Sequence, residues 1–404
     1  MNRMDVIGCC GMNCSAAGRA ALGEAEIVAA SERLLRIDGI PAAAEKTVLA
    51  GTLLNALPGL IRRSENRRVA VLASGDPLYC GIGATLRRFA APEQFRFFPA
   101  PTAFQQLFAA LGQPWENAAL FSLHARGAAL PYRRMLCSEL CAVYGDARRP
   151  AREIARELIE KFPAAALRPA AAGCSLGLPD EAVVSGTLAQ IAASEAAAAS
   201  LSVLALLPWD GPSPEFPPGL PDAGFAHHKN MITHPELRAI VLAKLRLRRG
   251  VMWDLGAGSG SVGLEAALLA PELTVFAVER DAERFAQLQA NCEAENPGNL
   301  RPFHGDGIAR MAELPDPERI FIGGGGKKLL SPAFDRLKPG GILVMTAVML
   351  DTVAMMAAFR PELRMELLTV NISRAADIGP AGFQWKAENP ITVGVWRKVA
   401  EEPR

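Results

Sequence analysis

Apolar runs alternate with helix-patterned stretches along both halves of the chain. In the C-terminal half, strand-like runs fall at 251–255, 274–278, 299–303, 319–323, 341–346, 366–373 and 391–396, and helices fit between most of them. That alternation predicts an α/β doubly wound sheet. The N-terminal half alternates too. Val69–Ala73 reads as a buried strand running into Ser74-Gly75-Asp76-Pro77, followed by Gly81-x-Gly83 and an amphipathic helix. Further strand–turn units are expected from Phe95 to Thr102 and from Ala118 to His124. The alanine-rich stretch Ala192–Ala199 reads as helix, since alanine is the best helix former. The longest apolar stretch, Gly340 to Phe359, is broken by Asp351 and reads as a strand and then a helix, not a membrane span.

The clearest seam is proline-rich, from Pro208 through Pro221. Such a run makes neither helix nor central strand and predicts a semi-rigid linker. The expected organisation is a domain over 1–207, a linker over 208–224 and a domain over 225–404. A length of 404 residues suits two domains, and half of them are hydrophobic, enough for two cores.

Charge narrows the partners. Lys and Arg number 43 against 42 Asp and Glu, with no basic block, so no nucleic-acid partner is expected. The first residues lack the apolar core of a signal peptide. Eight irregularly spaced cysteines suggest reduced thiols in a cytoplasmic protein rather than a disulfide framework. No membrane partner is expected either.

The candidate chemistry centres on Trp253-Asp254-Leu255-Gly256-Ala257-Gly258-Ser259-Gly260-Ser261. It reads as a buried strand ending in a glycine turn that opens a helix. Glycines there let the backbone turn tightly and approach a ligand. The helix amides then face that ligand with a dipole that favours a carboxylate. Glu279 ends the next apolar run, where an acid can accept both ribose hydroxyls of a nucleoside. A third strand ends at His304-Gly305-Asp306, with Gly307 behind it. A dinucleotide fingerprint would want glycine where Ser261 stands. The whole pattern resembles the S-adenosylmethionine (SAM) site of class I methyltransferases.

Two family resemblances follow. Ser74-Gly75-Asp76-Pro77-Leu78-Tyr79-Cys80-Gly81-Ile82-Gly83 resembles the glycine-aspartate-proline loop of tetrapyrrole (corrin/porphyrin) methylases, and Ser122–Arg126 and Ser185–Leu188 are similar to further segments. The C-terminal half resembles the class I methyltransferases of cobalamin synthesis. The pieces that match are Met231-Ile232-Thr233 with Glu236 and Arg238, the glycine loop, Phe321–Gly325, Ile372-Ser373-Arg374 and Asn389-Pro390. The domain order resembles the fused, decarboxylating corrin-ring methyltransferases. That resemblance implies methylation of two meso carbons, C-5 and C-15, of a precorrin macrocycle, with loss of carbon dioxide from an acetate side chain. It implies SAM as cosubstrate at two unrelated sites, a tetrapyrrole substrate and a homo-oligomer. The cofactor-binding residues it implies are Thr233, Gly256, Ala257, Gly258, Ser259, Gly260, Glu279, Asp306 and Gly307, with Gly75, Asp76 and Thr102 in the N-terminal domain.

Some segments depart from those patterns. The first turn, Gly8-Cys9-Cys10-Gly11-Met12-Asn13-Cys14, is rich in cysteine, but an iron–sulfur spacing would need cysteine at Ala17, and no metal is expected. His234 stands where a lysine commonly follows the threonine. His227, His228 and His234 have too few companion ligands for zinc. His304 reads as a strand-end residue rather than a base. Cys137 and Cys141, at helical spacing, read as buried core. Gly323–Gly326 with Lys327 and Lys328 lacks the phosphate-loop spacing. It suits a flat substrate whose carboxylates find Lys327, Arg374 or Arg126. The alternative reading is a single-site RNA or protein methyltransferase with a non-catalytic N-terminal assembly module.

Overall fold

A computed structural model describes residues 3–50, 53–123, 129–228, 232–323, 326–379 and 382–399. The chain divides into two units. One holds residues 1–128 and 132–214, the other 129–131 and 215–404.

The N-terminal unit carries two sheets. In the first, Met4–Cys10 lies between Val69–Ser74 and Phe95–Phe98, parallel to both, and Ile27–Ala30 and Glu45–Val48 extend the sheet beyond Val69–Ser74. Asn13–Cys14 folds back on the first strand, so the cysteine-rich segment is a hairpin in which Cys9 pairs with Cys14. The second sheet runs Ala182–Thr187, Pro169–Cys174, Ser202–Leu206, Cys141–Tyr144, Ala119–Ser122, mostly antiparallel.

The C-terminal unit is a seven-stranded doubly wound sheet. Its order is Leu300–His304, Leu273–Glu279, Gly250–Leu255, Arg319–Ile322, Ile342–Ala347, Ile391–Arg397, Arg364–Val370. The first five strands are parallel, Ile391–Arg397 runs antiparallel to both its neighbours, and Arg364–Val370 therefore runs in the direction of the first five. Side chains alternate between two buried faces. Met252, Val275, Phe321 and Val344 pack on one side, and Trp253, Leu255, Ile320 and Met345 on the other. Strand order reverses between Gly250–Leu255 and Arg319–Ile322. Ligands of such sheets sit beyond the strand ends at that reversal.

The structure revises several sequence expectations. The strand expected over 366–373 ends at Val370, and a separate exposed hairpin, Ser373–Asp377 with Phe383–Ala387, follows it. The alanine-rich stretch is not one helix. The helix Leu188–Ala193 stops at Ser194, and only a short turn, Ala196–Ala198, follows. Cys137 ends the helix Tyr132–Cys137 and is exposed, whereas Cys141 begins a strand and is buried. Their spacing therefore crosses a helix end. The stretch from Gly340 to Phe359 does form a strand, Ile342–Ala347, and a helix, Leu350–Ala358. Among the described residues no helix is long and apolar enough to cross a membrane.

The proline-rich run is not free along its whole length. Cys137 Sγ donates to the Pro214 carbonyl on the N-terminal unit. Leu220 and Phe225 enter the C-terminal core. Gly219 and Leu220 amides donate to Glu265 at 2.8 and 2.9 Å. Arg238, fully buried, answers that carboxylate. It donates to Glu265 and Asp222 at 2.8 Å each, and to the carbonyls of Leu220 and Thr233. A buried guanidinium needs such complete pairing, because leaving one partner out costs several kcal/mol, about 3–5. The network fixes Thr233 beside the sheet's strand ends.

Candidate functional site

Two cavities adjoin at the strand ends of the C-terminal unit. One, of about 700 Å3, is lined by Ile232, Thr233, Gly256–Ser259, Ser261, Arg280, Arg284, Gly323, Lys327, Lys328 and Thr346–Met349, the end of a strand and the loop after it. The other, of about 170 Å3, is lined by Glu279, Gly305, Asp306, Gly307 and Ile308. Gly256, Arg280, Arg284 and Lys328 border both.

The floor is the glycine loop. Gly256, Gly258 and Gly260 have φ of 71°, 60° and 81°, a region that side-chain-bearing residues rarely adopt. A Cβ at Gly258 would meet nothing within 4 Å, whereas one at Gly260 would strike Leu288 at 2.2 Å. Gly258 therefore faces open space, and Gly260 permits close packing. Helix Ser261–Leu269 starts directly after, and Ser261 at its N-terminus lines the cavity. Ser259 is buried, and its carbonyl accepts from Asn291 Nδ2 at 2.8 Å. Asn291 also exchanges two bonds with the Ala226 backbone. That staple was invisible in the sequence, because its ends lie far apart along the chain.

Glu279 ends its strand nearly buried. One carboxylate oxygen accepts from the Gly258 amide at 2.8 Å and the other from the Asp281 amide at 2.9 Å. A carboxylate has about four acceptor positions. Two are used, so each oxygen keeps room for a ligand hydroxyl. Asp306 is placed differently. Its Oδ1 caps the helix Gly307–Met311 through the Ile308 and Ala309 amides. It borders the smaller cavity with its carboxylate turned to its own helix.

Asp254, at the base of the loop, is fully buried. Its Oδ2 accepts from the Gly263 amide at 2.9 Å, and its Oδ1 has no partner among the described residues. Burial pushes its carboxyl up to about 7, and the nearby Glu279 charge adds to the rise.

The cations sort themselves. Arg374 grips Glu236 with two nitrogens at 2.8 Å each and Glu388 at 2.6 Å, so it clamps the hairpin rather than offering a free charge. Lys327 lies 3.6 Å from Asp351. Arg126 lies outside the described residues, as do His124, Met231, Gly324 and Gly325. Arg280, Arg284 and Lys328, which the sequence did not single out for this place, border both cavities. The histidines disperse. His228 meets Glu283, His234 meets Asp222, and His304 sits at a strand end against the Arg280 carbonyl and the Phe285 ring.

The N-terminal unit has its own cavity, about 260 Å3, lined by Cys9, Gly11, Gly75, Tyr79, Cys80, Gln106, Tyr144, Ser175 and Ser202 among others. Both sheets contribute. Their loops touch backbone to backbone, since a Cβ on Gly11 would lie 1.8 Å from the Gly177 carbonyl oxygen. Tyr144 stacks on Phe104 at 3.9 Å, and Tyr79 meets both rings edge-on. Gly75, at φ 68°, lines the cavity. Asp76 instead folds onto its own loop, accepting from the Leu78 amide at 2.7 Å. Thr102 is buried as the cap of helix Ala103–Leu111. Of the residues expected here, only Gly75 is on the wall. The aromatic trio was missed, since three separated segments supply it.

Comparison with known proteins decides the family. A profile described as a precorrin methyltransferase domain matches residues 223–398. One described as tetrapyrrole (corrin/porphyrin) methylases matches residues 12–192. A precorrin-6Y C(5,15)-methyltransferase [decarboxylating] from Sinorhizobium is 33% identical, over 82% of this chain and 80% of its own. The chain belongs to the precorrin-6Y C(5,15)-methyltransferase family. A namesake from Mycobacterium tuberculosis is 29% identical over 93% of each chain. A cobalt-precorrin-6B C(15)-methyltransferase (decarboxylating) from Salmonella typhimurium is 33% identical, over 43% of this chain and 92% of its own. The tetrapyrrole-methylase and class I resemblances read from the sequence thus hold at the level of family.

Proposed function

We propose that this chain methylates C-5 and C-15 of a precorrin macrocycle and decarboxylates one acetate side chain, in cobalamin biosynthesis. The observation that carries the reading is the pair of joined cavities at the strand reversal, between the glycine loop and Glu279, within a chain of this family. SAM is the methyl donor. Its ribose hydroxyls take the free acceptor positions of Glu279, and its backbone end lies over Gly256–Gly260. The open space beyond Gly258 fits that cradle. SAM brings a sulfonium leaving group, so the protein's main task is to align a carbon nucleophile with the methyl. Ring nitrogens conjugated to the meso carbon supply electron density, and the same ring accepts the electron pair released on decarboxylation.

The labour divides between the units. The Salmonella relative named for C(15) methylation and decarboxylation matches 43% of this chain, about one unit. We assign that pair of reactions to the C-terminal unit and C-5 methylation to the N-terminal unit. There the second SAM enters the cavity beside Gly75 and Tyr144. The chain works in the cytoplasm, where its eight free thiols persist, and as a homo-oligomer. Mass spectrometry of the product from a precorrin-6-type substrate tests the reading. Each methyl adds about 14 mass units and lost carbon dioxide removes about 44, and independent sites contribute independently. Absence of methylated product overturns it.

A further inference from the structure

Two loops form the outer wall of the larger C-terminal cavity. One follows the strand Ile342–Ala347 and exposes Val348, Met349 and Leu350 in succession, at 50, 69 and 83%. Val348 and Met349 line the cavity. Contiguous apolar exposure at a cavity mouth marks a place where a ligand removes that surface from water. The other loop brings Lys327 and Lys328 to the same cavity. Lys327 Nζ stands 3.6 Å from Asp351 Oδ2, and the two side chains are 51 and 85% exposed. A pair so long and so wet holds weakly. An anion reaching the mouth can therefore take Lys327 from Asp351. The carboxylate of the methyl donor is met by the start of helix Ser261–Leu269, on the glycine-loop side of the cavity, and does not need that lysine. A plain anion has no use for the apolar loop. The ligand that uses both has a flat apolar body and an acidic edge.

We propose that Val348–Leu350 is a shelf for one face of the tetrapyrrole ring, and that Lys327 exchanges its internal partner Asp351 for a peripheral carboxylate of that ring. This deepens the function proposed above and rests on it. Asp351 then acts as an internal competitor that keeps the lysine placed until substrate arrives.

The test uses the full chain and uroporphyrin, an octacarboxylate porphyrin, with binding followed by its visible absorbance. Asp351→Asn should tighten binding about two- to fivefold, since it removes the competitor. Lys327→Ala should weaken binding by a similar factor and should abolish the effect of a second Asp351→Asn change. Met349→Ser with Leu350→Ser should weaken binding about tenfold or more, while serine keeps a good residue at the start of the following helix. All variants should keep the far-UV circular dichroism spectrum and cooperative thermal unfolding of the unaltered protein, which checks that each one folds. Binding by the N-terminal unit adds the same background throughout. An Asp351→Asn change that weakens binding or leaves it unaltered overturns the exchange, as does an equal effect in the Lys327→Ala background. Unaltered binding by the serine pair overturns the shelf. Should the unaltered chain give no methylated, decarboxylated product, the functional reading itself fails. Should it give that product while every variant binds alike, only this inference fails.

Discussion

Asp254 makes the stability of the C-terminal unit depend on pH in a direction opposite to that of most carboxylates. Its side chain is fully buried, one oxygen has no partner among the described residues, and its carboxyl rises from an ordinary 3.8 to about 7. Because the group is fully buried, solvent screening takes little from this shift. Moving a carboxyl that far corresponds to on the order of 4 kcal/mol. The folded state binds the proton more tightly than the unfolded chain. The contribution of Asp254 to stability is therefore greatest below about pH 4, falls as pH rises towards about 7, and levels off above. Glu236 and Glu318 titrate the other way. Arg374 holds the first low, and Lys338 and the Val251 amide hold the second low, so both lose stabilisation only as the medium becomes more acid. Those glutamates are common to the unaltered protein and an Asp254 variant, so the difference between the two isolates Asp254. Asp254→Asn keeps an acceptor for the Gly263 amide and removes the titration. Calorimetric unfolding of both proteins at half-unit pH steps should show their difference changing steadily from about pH 4 to about pH 7, with the variant gaining towards the upper end. A flat difference, or one of opposite slope, refutes the argument.

The other predictions concern the two sites and the seam. Glu279→Ala should weaken SAM binding to the C-terminal site by roughly 30- to 1000-fold, the worth of two charge-assisted bonds at about 2–4 kcal/mol, as read by titration calorimetry. Unchanged affinity removes Glu279 from the site. Gly258→Asp carries a backbone strain of about 1–2 kcal/mol at φ 60°, but its Cβ meets nothing within 4 Å, so it should fold with lowered stability and fill the cavity floor. It should abolish decarboxylation and one methyl transfer together, and continued release of carbon dioxide would place that reaction elsewhere. Asp76→Ala, which frees the Leu78 amide, should remove only the other methyl transfer, visible as product lighter by about 14 mass units. Limited proteolysis should cut first between Trp209 and Phe216, ahead of the anchored Gly219–Phe225. First cuts within that anchored stretch would contradict the packing described.

The parallel sheet was legible because its central strands are apolar on both faces and separated by helices. Six of the seven expected runs match to within about two residues at each end. The seventh was misjudged where burial stops. Arg364–Val370 alternates half-buried and exposed positions, and the hairpin after it exposes nearly every residue, so no apolar period announces it. The glycines of the loop could be read because their positive φ forces residue type. The partners that hold the loop could not. Asn291 reaches Ser259 across 32 residues, and Glu265 reaches Gly219 across 46. Local pattern carries no trace of such pairs. Arg374 shows the converse, since a cation suited to a substrate is spent on two glutamates.

The Arg238 network bears on how such a two-unit chain could be assembled or divided. The edge of the C-terminal unit is set by charge neutralisation rather than by its first strand. Arg238 draws on Asp222 and the Leu220 carbonyl, and Glu265 draws on two amides from Gly219 and Leu220. A piece cut after Asp222 would keep every strand and the whole glycine loop. It would also bury a guanidinium with one carboxylate left and a carboxylate stripped of two donors. The joint at which these two units were spliced, or could be separated without loss, therefore lies upstream of Gly219, within the few residues that belong structurally to neither core.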